Sequence, residues 1–301
     1  MTQSELVTQP KVEPVQEVKA ISSPTRKALR RFRRHRLAMF GVCVIIILVI
    51  AALLGSETAA LTQDLKNANK PPSAQFFFGT DRTGRDVFAR TLVGGRVSLM
   101  VGLVAVVFST LIGVTLGALA GFYRGWVDMV IMRLVDMVMS FPVIVLLLCV
   151  VALVGPGIFK IMVMIGMLTW TTPCRIMRAQ FLALREKEYV EAARTIGMDD
   201  FSIAIKHILP NAIAPLLVYM SFGVATAVLL EAGLSYLGLG VQPPTPSWGN
   251  MLNTARSTST MERTAWQWIP PAICTVLFVM SVNFVGDGIR DALDPRALNE
   301  K

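Results

Sequence analysis

The sequence predicts an all-helical membrane protein with six transmembrane helices and both termini in the cytoplasm. Three observations carry this. Apolar residues make up 53% of the chain and charged residues only 16%, where a soluble domain is nearer a quarter charged. The apolar residues gather into six runs, most near the roughly 20 residues a helix needs to cross hydrocarbon. Counted from Arg26 on, Lys and Arg fall 18 to one side of such a six-crossing chain and nine to the other, which sets its orientation. Strand periodicity is absent throughout.

Residues 1–36 form a cytoplasmic tail. Up to about residue 24, a mixture of Gln, Glu, Val, Pro and Ser reads as disordered. The seven Lys and Arg between Arg26 and Arg36 hold the N-terminus inside and suit anionic lipid headgroups rather than nucleic acid. The first run, 37–55, has no charge. Its apolar length exceeds a signal-peptide core and its leader is long, so it reads as a retained helix.

Residues 56–96 form an external loop. Within it "GTDRTGRD", Gly79 to Asp86, has the glycine spacing of a P-loop, but Arg85 and Asp86 stand where a phosphate cradle needs Lys and Ser or Thr. No nucleotide site follows. The stretch reads as a turn in which Asp81 or Thr83 caps a helix, "GRDVFARTLVGGR", lying along the membrane surface. Val87, Phe88, Thr91 and Leu92 would share its apolar face, with Arg85, Arg90 and Arg96 on the polar side.

Residues 97–290 form the five-helix core. In the second run, 97–121, Ser109, Gly113, Gly117 and Gly121 recur every fourth residue and mark a helix-packing face smooth enough for backbone contact. The helix it receives, in this chain or in a second subunit, is left open. The third run is 137–155. The fourth, 157–172, is short and broken by Pro173. The fifth is 211–230, with Glu231 at its outer end either lining a pathway or solvated at the interface. An external loop, 240–268, precedes the sixth run, 269–285, and a cytoplasmic tail, 291–301, closes the chain.

Catalytic and metal chemistry finds no constellation. Cys43, Cys149, Cys174 and Cys274 lie in or beside apolar runs without C-x-x-C pairing and read as buried, inert thiols. His35 and His207 have no ligand partners at useful spacing, and the 16 methionines scatter as packing residues rather than a soft-metal path. The chain carries no cofactor of its own by this reading.

The most informative segment is the cytoplasmic loop 175–210. Tyr189, Ala192, Ala193 and Ile196 form the apolar face of a short helix, with Glu188, Glu191 and Thr195 opposite. Gly197 can end that helix in a left-handed conformation, and Asp199 or Asp200 can cap a second helix running to Pro210. Small residues here suit insertion into a groove on a cytoplasmic protein.

"EYVEAARTIG", followed by "ILPN", resembles the EAA loop of the membrane subunits of ABC importers, with Glu191, Ala192, Ala193 and Gly197 on the motif positions. "GTDRTGRDVFARTLVGGRVSL", "AGLSYLGLGVQPPTPSWGNML" and "VNFVGDGIRDALDPR" are similar to the dipeptide, oligopeptide and nickel permease class, so that the resemblance spans roughly residues 30–296. It implies the type I importer permease fold and a coupling helix, including Glu188, Tyr189 and Pro210, that docks on an ATPase subunit. It also implies an assembly of a second homologous permease, two ATPase subunits that bind ATP and Mg, and an external solute-binding protein. The Pro-rich loop around Gln242, Pro243, Pro244 and Trp248 is a contact for that binding protein, or else a brace on the outer face. Short peptides are the expected cargo, with chelated nickel or glutathione as alternatives. An ion-driven secondary transporter would place acidic groups at the midplane, whereas Asp128, Asp136, Glu231 and Asp287 lie toward run ends. A receptor or scaffold would leave the EAA-like loop without a role.

Overall fold

A computed structural model describes residues 24–293, and most of them are helical. In chain order the helices are α1 (Pro24–Arg34), α2 (Arg36–Leu54), α3 (Glu57–Leu61), α4 (Val87–Tyr123), α5 (Gly125–Met139), α6 (Val143–Val154), α7 (Ile158–Thr169), α8 (Thr171–Leu184) and α9 (Glu188–Thr195). They continue with α10 (Asp200–Tyr236), α11 (Trp248–Leu252), α12 (Thr258–Arg263) and α13 (Ile269–Leu293). The tail expected up to about residue 24, and residues 294–301 of the closing tail, lie outside the described residues. The rest of the basic segment is not a tail: α1 packs on α13, with Phe32 against Gly288, and His35 caps α2 by accepting from Ala38 N.

Helices α2, α4, α10 and α13 are long and apolar enough to cross a membrane, and α5 with α6 makes a fifth if that pair, bent by 85°, is one span. The expected fourth run corresponds to α7, 12 residues long, which passes through Trp170 into the more polar α8. Length and composition alone thus identify four or five crossings among the described residues, while α7 and α8 run on together alongside α4 without passing that test. Pro173 does not end the run, because it sits in the first turn of α8, where a missing N–H removes no helical bond.

The surface helix expected over 84–96 is absent. From Val87 on, those residues are the first turns of α4, a continuous helix of 37 residues and about 54 Å. Its cap is Asp86, whose carboxylate accepts from Phe88 N at 2.9 Å, and not Asp81 or Thr83. The polar face fails because its arginines find acceptors inside the fold. Arg90 is only 5% exposed, and Arg96 donates to the carbonyls of Ala52, Leu53 and Gly55, each at 2.6 Å. A guanidinium at the open carbonyls of a helix end satisfies groups that otherwise need water. Arg96 therefore ties the end of α2 to α4.

α4 is the mast of the bundle, with α7, α8, α10 and α2 packed along it. The largest apolar cluster joins Val101, Ala105 and Val106 of α4 to Leu147 and Val151 of α6, Ile161 and Ile165 of α7, and Ala227 of α10. At one end, the Asp81 end, Trp266 and Gln267 both donate to Thr80 O, so that the segment before α13 clasps the loop before α4. At the opposite, Gly197 end, Arg185 donates to Phe122 O and its guanidinium lies 5.9 Å from the Phe122 ring centre.

The third run, expected over 137–155, is interrupted. α5 stops at Met139 and α6 begins after Pro142, which has no N–H to give and disfavours a helical conformation at Phe141. Two ion pairs fix α5 to α8: Arg178 holds Asp128 through Nε and Nη2, at 2.5 and 2.6 Å, and Arg175 holds Asp136 at 2.6 Å.

Candidate functional sites

The glycine row on α4 lies against α8 of the same chain. A β-carbon on Gly113 would sit 2.6 Å from Pro173 Cγ, one on Gly117 would enter the Cys174 carbonyl and lie 2.9 Å from Met177 Cβ, and one on Gly121 would sit 2.6 Å from Phe181 Cβ. Ser109 continues the row differently. Its hydroxyl is 3.3 Å from the Tyr219 hydroxyl, which donates in turn to Thr169 O, so α4, α10 and α7 meet through one polar chain.

Glu231 neither lines a pathway nor meets solvent: it is fully buried. Its carboxyl oxygens accept from Ser235 at 2.7 Å, Ser247 at 2.9 Å and Ser98 at 3.3 Å. Each serine oxygen also accepts a backbone N–H, from Val241, Asn250 and Trp248 in that order. One carboxyl group thereby organises α10, α4 and the Pro-rich loop. A Ser247 capping box starts α11, and Trp248 Nε1 donates to Thr91 O at 2.9 Å. Glu231→Ala would leave hydroxyl donors unpaired, at about 1–3 kcal/mol each. The expected result is a clear fall in the melting temperature of the purified protein, with Glu231→Gln intermediate because its amide retains one acceptor oxygen.

Trp248, expected at a binding-protein contact, is 2% exposed and serves as an internal anchor, its ring set edge-on to Phe278. Gln242, Pro243 and Pro244 remain exposed. Beside them is a cavity of about 350 Å³ bounded by Arg85, Arg90, Gln242, Asn250 and Gln267. Asp81 organises its floor. Burial pushes the Asp81 carboxyl up, but bonds from the N–H and guanidinium of Arg85 and from Thr83 outweigh this and hold it below its ordinary value. Arg90 approaches the same oxygen at 3.6 Å, so one carboxylate faces two guanidiniums.

At the Gly197 end, α9 stands out from the bundle. Val190 and Ala193 are buried against the core, while Glu188, Glu191 and Ala192 are exposed, as are Tyr189 at 41% and Ile196 at 78%. The apolar face expected to hold Ala193 with Tyr189, Ala192 and Ile196 is therefore split between the chain's own core and the surface. Gly197 has φ +81°; Met198 N donates to Ala193 O and Gly197 N to Arg194 O, the closing bonds of a Schellman turn. Asp199 then caps α10 by accepting from Ser202 N at 2.8 Å. The second helix does not end at Pro210. It passes through a wide π turn, Ile203–Ile208, which absorbs the missing N–H of Pro210 just beyond it, and continues as α10. Pro210 is exposed on its side.

Among the described residues, no group of three or more His, Cys, Asp or Glu is placed to hold a metal. Of the thiols only Cys174 is fully buried; Cys43 and Cys149 lie on the outside of the bundle, because the apolar helices carrying them present faces to lipid or a partner. Sequence reasoning missed the serine set around Glu231 and the double role of Asp81. The available signal was a carboxyl in an apolar helix with Ser235 one turn on.

Residues 113–299 match the family described as binding-protein-dependent transport system inner membrane component, and residues 23–72 match the N-terminal transmembrane domain of oligopeptide transport permease C. The chain is 45% identical over 285 residues to a protein of Brucella suis biovar 1 (strain 1330) named as a peptide permease, covering 94% of each. It is 38% identical to the dipeptide transport system permease protein DppC of Alkalihalophilus pseudofirmus, covering 97% of this chain and 96% of that one. It is 39% identical to the glutathione transport system permease protein GsiD of Escherichia coli O6:K15:H31, covering 98% and 96%. A solved structure of the inward-facing methionine ABC transporter MetNI shares the fold, with a TM-score of 0.52 at 20% identity, over 68% of this chain and 97% of that one. With the apolar helices already described, these matches make the chain a multi-pass inner-membrane protein that belongs to the binding-protein-dependent transport system inner membrane component family, as an ABC importer permease of the dipeptide, oligopeptide and nickel class.

Proposed function

We propose that this chain forms half of the translocation path of an ATP-driven importer of short peptides, and that α9 transmits the power stroke of separate ATPase subunits. A second homologous permease completes the path, two ATPase subunits bind ATP and Mg, and an external binding protein delivers the peptide. The observation that carries the reading is α9 itself. It is a short helix rooted by Val190 and Ala193, with Glu188, Tyr189, Glu191, Ala192 and Ile196 turned outward and a left-handed glycine fixing its exit. A rigid lever with an unpaired outer face transmits force to a membrane helix when a partner grips it, and α9 leads directly into α10. On this reading the Gly197 end is cytoplasmic, the Asp81 end is external, and Gln242, Pro243 and Pro244 offer the binding-protein contact.

The deciding experiment reconstitutes the complex in vesicles and follows labelled dipeptide. Uptake is expected only with ATP and the binding protein together; uptake driven by a proton gradient without ATP would sink the reading. Topology is tested in intact cells, with the four native cysteines replaced. Arg85→Cys should react with a membrane-impermeant maleimide and Glu191→Cys should not.

A further inference from the structure

The break between α5 and α6 leaves backbone polar groups open deep in an apolar bundle. Among the described residues, the carbonyls of Met139, Ser140 and Phe141 accept no backbone hydrogen bond, and the N–H groups of Val143 and Ile144 donate none. The break is not at a membrane edge. It borders a cavity of about 350 Å³ whose other walls include Val106, Thr169, Thr172, Tyr219 and Thr226. Val106 lies about midway along the 37 residues of α4, so the cavity is at mid-depth in the bundle. Open backbone at that depth cannot face lipid: each unsatisfied group costs several kcal/mol in hydrocarbon, and irregular backbone survives there only against protein or water.

The side chains around the break point the same way. Ser140, Thr172 and Thr226 are exposed, and Phe141 is 57% exposed. One turn before Ser140 is the ion pair of Asp136 and Arg175, with side chains 54% and 48% exposed, which also demands water or a polar partner rather than lipid. By contrast the end of α6 away from the break presents Leu153 at 87% exposure, a surface that lipid covers without cost. Gly223 lies among the cavity walls, and a β-carbon there would sit 3.1 Å from Val106 Cγ2, so the glycine lets α10 come close to α4 beside the cavity. Among the described residues, no charged side chain borders the cavity.

We infer that the α5–α6 break and the facing side of α10, from Tyr219 to Thr226, form a wall of the aqueous translocation path, and that this uncharged wall takes the backbone and neutral side chains of a passing peptide. The inference rests on the importer reading above. Open carbonyls and threonine hydroxyls suit peptide N–H groups, which every peptide has, and the apolar wall accepts side chains without selecting charge. A wall of this kind passes many sequences, leaving selection to the protein that delivers them.

The test uses the assembled complex in vesicles, with the four native cysteines replaced and one new cysteine at a time. The probe is a small, permanently charged thiosulfonate that reaches thiols through water and not through lipid. Phe141→Cys and Thr226→Cys are expected to react at least about tenfold faster than Leu153→Cys, from one side in the nucleotide-free complex, and more slowly with transported dipeptide present. Rates at both positions no faster than at Leu153→Cys, in the nucleotide-free and vanadate-trapped states alike, would overturn the inference and place the break against lipid or the second permease. A second arm tests the neutrality of the wall. Thr226→Asp should shift the ratio of Ala-Lys to Ala-Glu uptake by about tenfold in favour of the cationic peptide. An unchanged ratio would overturn the peptide-contact part. Both arms stand apart from the importer reading, which fails instead if the unmodified complex takes up no dipeptide with ATP.

Discussion

Gly117→Leu should leave almost no folded permease. The glycine row brings α4 and α8 together at backbone distance, and at Gly117 even a methyl group would enter the Cys174 carbonyl. A leucine therefore has to push apart two helices that are held on both sides. Below, Arg185 ties α8 to Phe122 O at the end of α4; above, Trp170 and Cys174 share an apolar cluster with Ile112 and Leu116 of α4. Overpacking a well-fitted core costs about 1–3 kcal/mol, and more where the obstacle is backbone that cannot change rotamer. Repeating the obstacle at Gly113 and Gly121 removes any easy slide along the helix. The measurement is the yield and melting temperature of monodisperse protein in detergent, beside Leu111→Val on the exposed side of α4 as the control. Normal yield and an unshifted melting temperature for Gly117→Leu would refute the close contact. Gly117→Ala should fall between, since the α4–α8 spacing must still widen for a β-carbon that would otherwise clash with the Cys174 carbonyl.

The parts of this fold legible in sequence are those encoded locally. Glycines four residues apart define a smooth helix face whatever lies against it, and a glycine after "EAARTI" can only be cheap in a left-handed turn. Helix partners were not legible, since the row on α4 says nothing of α8. The surface helix failed for a related reason. Arg90 and Arg96 look like a polar face to a periodicity argument, but their acceptors, Asp81 and the end of α2, are remote from the helix period and visible only in three dimensions. Pro142 was a readable break signal in the third run, obscured by the apolar composition on both sides of it. Pro210 misled in the opposite direction. A π turn makes room for the missing N–H, and no sequence pattern short of the turn itself announces it. Glu231 needed three serines, one of them 133 residues away, to become an internal hub rather than a membrane-edge charge.

Gly197→Val should uncouple the transporter while leaving it folded. At φ +81° a β-branched residue is strained, and the strain is purely conformational, because the space where a β-carbon would lie holds no atom within 4 Å. The cost, about 1–3 kcal/mol, falls on one turn. It can be relieved by breaking the two bonds that close the turn, Met198 to Ala193 and Gly197 to Arg194. Opening the turn frees α9 from the start of α10, whose own cap at Asp199 lies only two residues on. A lever with a slack joint still binds but no longer transmits displacement. The expected results are assembly close to wild type, unchanged affinity of the binding protein for peptide, and peptide uptake reduced by at least about tenfold. Stimulation of ATP hydrolysis by loaded binding protein should fall with it. Gly197→Asn, which tolerates the left-handed region, should retain most of the activity. That variant separates a backbone requirement from a simple need for a small residue. Uptake by Gly197→Val at the wild-type rate would remove the coupling role from α9. Equal loss in Gly197→Asn would show that bulk at the partner surface, and not the turn, is what the glycine protects.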